Sequence, residues 1–336
     1  MCTDLRLTRL DALHVSARTL DFAFDTESMV EVVPRGQQWT ATSGTGGEPL
    51  TWSNHLGFVA LNFFGFDDYF ADGLNEAGLS VGTLWLPETR LPTAPPEGTG
   101  PAIDFINLAG WLLGTCETVA EVKTALGSAR IWDAPVGMLW PQDRPMPEAL
   151  KPLTNWTATE HLSIHDAHGN DLVVEFVDEQ MHLYDNHAGV LTNSPVYPWH
   201  VTNLRNYIGL TNVEDKPYNL LGMPVVATGN GTGLLGMPGD VTPPSRFVRA
   251  TVMTQTVKQA KDARDAVNQA FHSLDLVSVP RYLAASGDYT QWYVVRDHDR
   301  KVLYVRTYDG WGTDVHDLAA LGVADDGPRR VLPMPA

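Results

Sequence analysis

Apolar residues in this chain come in short runs early, at helical spacing in the middle, and in short runs again towards the end. The segment LRLTRLDALHVSARTLDF (5–22) alternates well enough for two antiparallel strands turning near Asp11, and SMVEVVPRG (28–36) supplies another. HLGFVALNFF (55–64) and GLSVGTLWLP (78–87) are almost uninterrupted in their apolarity, which predicts strands covered on both faces; residues 73–78 read as the turn between them. After a Pro/Gly-rich loop from Pro87 to Pro101, residues 103–132 place Phe105, Leu108, Trp111 and Leu112 at helical spacing. Thr118 and Glu121 form a capping box that opens a second helix.

A Pro-rich loop runs from Pro135 to Pro152. Beyond it, residues 162–177 predict a hairpin turning at Gly169-Asn170, and residues 181–195 another. Residues 245–274 read as a helical pair with Arg246, Arg249 and Lys258 at exposed-type positions, and residues 289–310 as a hairpin turning at 297–299. Without internal repeats, this order of strands, helices, strands, helices and strands predicts one α+β domain over residues 1–336, with two stacked antiparallel sheets and helices outside them.

Charge and composition narrow the partners. Forty acidic against 23 basic residues leave a formal net charge of -17, which repels nucleic acid and anionic membranes. No apolar run reaches transmembrane length, and no leader pattern opens the chain, so the expected location is cytoplasmic, or periplasmic if Met1 stands in place of a removed export signal. Two cysteines make no disulfide framework. The sequons at Asn155 and Asn230 read as coincidental.

Several motifs read as structure rather than chemistry. GTGLLG (231–236) matches a dinucleotide-binding pattern, but Met237-Pro238 breaks the helix that pattern needs, leaving a loop. His165, Asp166 and His168 fall at a hairpin turn, with the two histidines on opposite strand faces, and read as solvated turn residues rather than a metal site. No G-x-S-x-G elbow is present. Cys116 sits in an apolar helical setting and reads as core. Cys2 differs, because removal of Met1 gives one residue both a thiol and an α-amine, and the amine can serve as base to its own thiol. Arg18 and Asp21, on a strand nearby, offer a cation for the thiolate and an acceptor for the amine. They lie three apart, on opposite faces of a flat strand, so a bulge or strand end is needed to bring both to Cys2.

The opening MCT with ARTLDF resembles the choloylglycine hydrolase and penicillin V acylase family of N-terminal nucleophile hydrolases. GLNEAGLSVGTLWLP (73–87), YDNHAGVLTNSPVYPWHVTNLRNY (184–207), LLGMPGDVTPPSRFVRA (234–250) and VLYVRTYDG (302–310) resemble further family blocks in the same order. The resemblance implies a four-layer αββα sandwich and a linear amidase that needs no cofactor. It implies Cys2 as nucleophile with its amine as base, Arg18 beside the thiol and Asp21 holding the amine. Asn193 is implied as an oxyanion donor and Arg246 as part of the charged cluster. Trp85 falls where the second oxyanion donor, a backbone N–H, is expected. Bile-salt-acting relatives carry Asn at that position, and Trp85 instead resembles Gram-negative acylases of penicillin V and N-acyl homoserine lactones. The implied substrate is a small amide with an apolar acyl group, and the implied assembly a homo-oligomer, tetramer or dimer.

Overall fold

A computed structural model describes residues 1–336 except 8–12, 45–47, 67, 99, 136, 138–139, 141–144, 147–150, 152–153 and 156. The turn expected near Asp11, most of the loop Pro135–Pro152 and Trp156 of the first sequon lie outside the described residues. In chain order the strands begin β1 (Cys2–Arg6), β2 (Val15–Phe22), β3 (Val30–Val33), β4 (Gln38–Thr40), β5 (Thr51–Ser53), β6 (Phe58–Asn62), β7 (Phe70–Asn75), β8 (Ser80–Trp85), β9 (Ala102–Asp104) and β10 (Arg130–Trp132). They continue β11 (Glu160–His165), β12 (Asp171–Val177), β13 (Gln180–Asp185), β14 (Val190–Leu191), β15 (Tyr218–Leu220), β16 (Met223–Val225), β17 (Tyr289–Asp297), β18 (Val302–Thr307), β19 (Asp314–Asp317) and β20 (Arg330–Leu332). The helices are α1 (Phe105–Thr115), α2 (Val119–Ser128), α3 (Tyr197–Asn203), α4 (Pro243–Thr256) and α5 (Ala263–Asp275).

Two antiparallel sheets hold the core. One runs β14-β1-β2-β17-β18-β19 and the other β13-β12-β11-β8-β7-β6-β3-β20. One apolar cluster, containing Cys2, Leu20, Leu84 and Val294, lies between the sheets and continues beneath α4 and α5 through Phe247 and Ala270. A second, containing Phe58, Val81, Leu108 and Leu112, packs α1 and α2 on the outer face of the larger sheet. Helices therefore cover both outer faces, giving the αββα order. Burial on both faces explains the continuous apolarity of β6 and β8.

Local signals place the helices. Asp104 caps α1 by accepting from Asn107 N, and Thr118 caps α2 by accepting from Glu121 N. Asp262 does the same for α5.

The structure corrects four expectations. Residues 73–75 belong to β7, so the turn spans only Glu76 to Gly78; Gly73 is a packing residue, since a Cβ there would stand 2.5 Å from Leu113 Cδ1 of α1. Residues 181–195 are not a hairpin, because β13 pairs with β12 while β14 crosses to the other sheet and pairs with β1. Arg246 and Arg249 are buried at 0% and 7% exposure, whereas Lys258 is exposed beyond the end of α4. His165 and Asp166 are fully buried, not solvated. The segment 231–236 contains only a short 3-10 turn, as a loop should. Cys116 is core, its thiol pushed up to about 11 by burial.

Candidate active site

The site forms where β1 begins. Cys2 pairs with Leu20, and Asp4 with Arg18, so these four side chains share the face turned towards the second sheet. Arg18 Nη2 lies 3.5 Å from Cys2 Sγ. The same guanidinium donates to the carbonyls of Ala71 and Thr83 and, at 3.2 Å, to Asp72 Oδ2. Burial alone would lower the Arg18 pKa, but the Cys2 thiol and Asp72 carry it above its usual value. Gly82 gives this cluster room, since a Cβ there would meet Asp72, Arg296 and Arg18 at 3.1–3.3 Å.

Asp21 lies on the opposite face, towards α4. β2 pairs with β1 in unbroken register, so no bulge in β2 turns both side chains to one face. The irregularity falls in the neighbouring β17, between Thr290 and Trp292. Thr290 Oγ1 donates to Asp21 Oδ1 at 2.5 Å, while the buried Asp21 Oδ2 has no hydrogen-bond donor. Arg246 Nη1 approaches Oδ2 to 3.8 Å. Burial raises the Asp21 pKa, with Arg246 opposing.

Asn193 and Arg246 complete the surroundings of the Cys2 nitrogen. The Cys2 N–H donates to Asn193 Oδ1 at 2.8 Å, and Arg246 Nη2 donates to the same oxygen at 2.7 Å. Arg246 Nη1 also bonds the Cys2 carbonyl and Thr3 Oγ1. Asn193 Nδ2 donates to the Trp85 carbonyl at 2.7 Å, which uses one of its two N–H groups. Trp85, at the end of β8, is 36% exposed. The structure thus brings all six residues singled out from the sequence (Cys2, Arg18, Asp21, Trp85, Asn193 and Arg246) into one cluster.

Other contributors were not read from the sequence as part of the site. His200 Nε2 bonds the Asn193 carbonyl at 2.8 Å, and its ring stacks on Phe247. His161 spans the Thr192 carbonyl and Glu175, both at 3.1 Å, which fixes the strand before Asn193. Behind Arg18, a buried file of charges crosses the core. Asp72 binds Arg296, Arg296 binds Asp4 at 2.9 Å, and Asp4 meets His165 at 2.5 Å. His165 Nδ1 then meets Asp171 at 2.6 Å, beside Arg6. Among the described residues, no three His, Cys, Asp or Glu side chains gather in a metal-binding group.

Residues 2–324 match the linear amide C-N hydrolases, choloylglycine hydrolase family. The chain belongs to that family. It is 33% identical to the bile salt hydrolase/transferase of Clostridium perfringens over 316 residues, 92% of this chain and 90% of that one. A crystal structure of the conjugated bile acid hydrolase from Clostridium perfringens, determined as its C2A mutant, has a TM-score of 0.82 at 28% identity and covers 98% of this chain and 96% of its own. The penicillin V acylase of Pectobacterium atrosepticum is 27% identical, over 84% of this chain and 71% of that one. The fold is accordingly that of the N-terminal nucleophile hydrolases, and the chain is a hydrolase of linear amide C-N bonds.

Proposed function

We propose that Cys2, freed by removal of Met1, is the nucleophile and that its α-amine is the general base. The observation that carries this reading is the division of the site. Sulfur faces a buried cation, Arg18, while the nitrogen donates to Asn193 Oδ1, with Arg246 bridging that amide oxygen and Asp21. A free ammonium is the donor that the unpartnered Asp21 Oδ2 lacks.

In this mechanism the amine takes the thiol proton and the thiolate attacks the amide carbonyl. Asn193 Nδ2 and the Trp85 N–H receive the oxyanion. The α-ammonium returns the proton to the departing amine, leaving an acyl thioester on Cys2. Water, deprotonated by the same amine, then hydrolyses the thioester and releases the acid.

For the substrate we favour amides of aromatic or fatty acyl groups, of the penicillin V or N-acyl homoserine lactone kind. Phe63 and Tyr69 share the apolar cluster of Cys2, their rings 4.8 Å apart, and Phe24 and Phe64 stack at 5.9 Å beside them. Trp85, whose carbonyl accepts from Asn193 Nδ2, adds a large, partly exposed aromatic surface. Conjugated bile salts are the second reading, favoured by the 33% identity to a bile salt hydrolase/transferase. Rates on penicillin V, acyl homoserine lactones and glycine- or taurine-conjugated bile salts separate the two. Bile salts cleaved faster than both others would overturn the first. A homo-oligomer is also proposed, since the ribbon of β15 and β16 exposes Tyr218, Leu220, Leu221 and Met223. Sedimentation of the purified chain as a monomer would refute that.

A further inference from the structure

The two oxyanion donors of the mechanism above hang from different sheets. Trp85 ends β8 of the eight-stranded sheet, whereas Asn193 follows β14 of the six-stranded one. Packed sheets share no backbone ladder, so side chains must set the spacing of the two donors. The bond from Asn193 Nδ2 to the Trp85 carbonyl is one such link. The residue after Asn193 supplies another: Ser194 Oγ donates to Oε1 of Glu88, three residues beyond Trp85.

Both ends of this second link are braced. Glu88 sits in a turn closed by the Thr89 N–H on the Leu86 carbonyl at 3.0 Å. Leu86 N–H donates to the Thr159 carbonyl at 2.6 Å and Thr89 Oγ1 to the Glu160 carbonyl at 2.9 Å, which ties that turn to the start of β11. On the other side, His161 holds the Thr192 carbonyl and Glu175 holds the Tyr197 N–H. Glu88 Oε2, by contrast, is buried with no hydrogen-bond donor among the described residues. A buried acceptor without a donor costs stability, so stability does not account for a carboxyl at this place.

We propose that Glu88 is a positioning residue: with Ser194 it clasps the Asn193 segment to the Trp85 segment and sets the gap that receives the oxyanion. This rests on the Cys2 reading and adds to it the pair that holds the two halves of the oxyanion site in register. The clasp needs an acceptor oxygen at Glu88 and a hydroxyl at Ser194, so glutamine serves in place of Glu88 and alanine does not.

The test compares mature wild type with Glu88→Ala, Ser194→Ala, the double variant and Glu88→Gln on a phenoxyacetyl amide. Either alanine variant should lower kcat about tenfold with KM changed less than about twofold, because donors out of place weaken the transition state rather than binding. The double variant should fall no further than the single ones, and Glu88→Gln should keep about half of the wild-type kcat or more. Unchanged kcat in both alanine variants, losses that multiply in the double variant, or Glu88→Gln as slow as Glu88→Ala would each overturn the proposal. Wild type that turns over no amide would instead sink the amidase reading. The clasp is then decided by crystal structures of wild type and Ser194→Ala. A distance from Asn193 Nδ2 to the Trp85 carbonyl that lengthens by about 0.5 Å or more supports it, and the same distance in both overturns it.

Discussion

His165 offers a sharp test of the electrostatics in the core. Its two nitrogens stand 2.5 Å from Asp4 Oδ1 and 2.6 Å from Asp171 Oδ1, with no exposure to water. Two carboxylate partners require both nitrogens to donate, so the ring is an imidazolium. Burial alone would lower its pKa, but Asp4 and Asp171 raise it above 6.5. The folded chain therefore holds a proton that the unfolded chain releases as pH rises past about 6.5. Stability from this residue is complete below that pH and is lost as pH climbs through the folded value.

His165→Gln removes the charge and one of the two contacts. Breaking a buried ion pair costs about 3–5 kcal/mol. The lower end applies here, because Asp4 keeps Arg296 and Ser163, and Asp171 keeps Arg6. Urea unfolding of both proteins from pH 5.5 to 9.5 should show a gap of about 3 kcal/mol at pH 6 that narrows as pH rises. A gap that stays constant, or widens towards alkaline pH, refutes the imidazolium assignment.

Further expectations follow from other residues. Asn193→Ala should lower kcat by about a hundredfold or more, with KM changed little, since an oxyanion donor is worth about 3 kcal/mol in the transition state; steady-state kinetics checks this, and an effect confined to KM contradicts it. Glu160 is buried, accepts from Tyr69 at 2.6 Å, and is raised by burial from 4.5 to about 7. Folded Glu160 thus keeps its proton while the unfolded chain ionises, so this residue makes stability fall between about pH 4.5 and 7. Glu160→Gln should gain up to about 3 kcal/mol on the wild type across that window, measured by denaturant unfolding; parallel curves would argue against it. Gly82→Leu should cut turnover severely by forcing Arg18 and Asp72 apart, and turnover near wild type would show that their contact does not matter.

Much of this arrangement was legible in the sequence, for identifiable reasons. Short apolar runs and the Thr118–Glu121 box specify elements locally, and the structure keeps them. Cys2 stood out because a second-position thiol carries chemistry that a core residue does not need. Arg246 was harder: an arginine on a helix ordinarily lies in solvent, and its burial is explained by partners distant in sequence, the Cys2 carbonyl 244 residues away, Thr3 Oγ1 and Asn193 Oδ1. The file Asp72–Arg296–Asp4–His165 was invisible for a related reason. Each member sits on a different strand, and charge compensation across two sheets leaves no spacing to read. Gly73 misled because glycine serves tight packing as readily as it serves turns.

The central claim is that Cys2, without Met1, carries the acyl group. Rapid acid quenching during turnover of a phenoxyacetyl amide, followed by peptide mass analysis, tests it directly. The predicted result is an N-terminal peptide beginning at Cys2 that gains the phenoxyacetyl mass, with no adduct and no turnover in Cys2→Ala. An adduct on another residue, or full activity in a chain that retains Met1, would contradict the account.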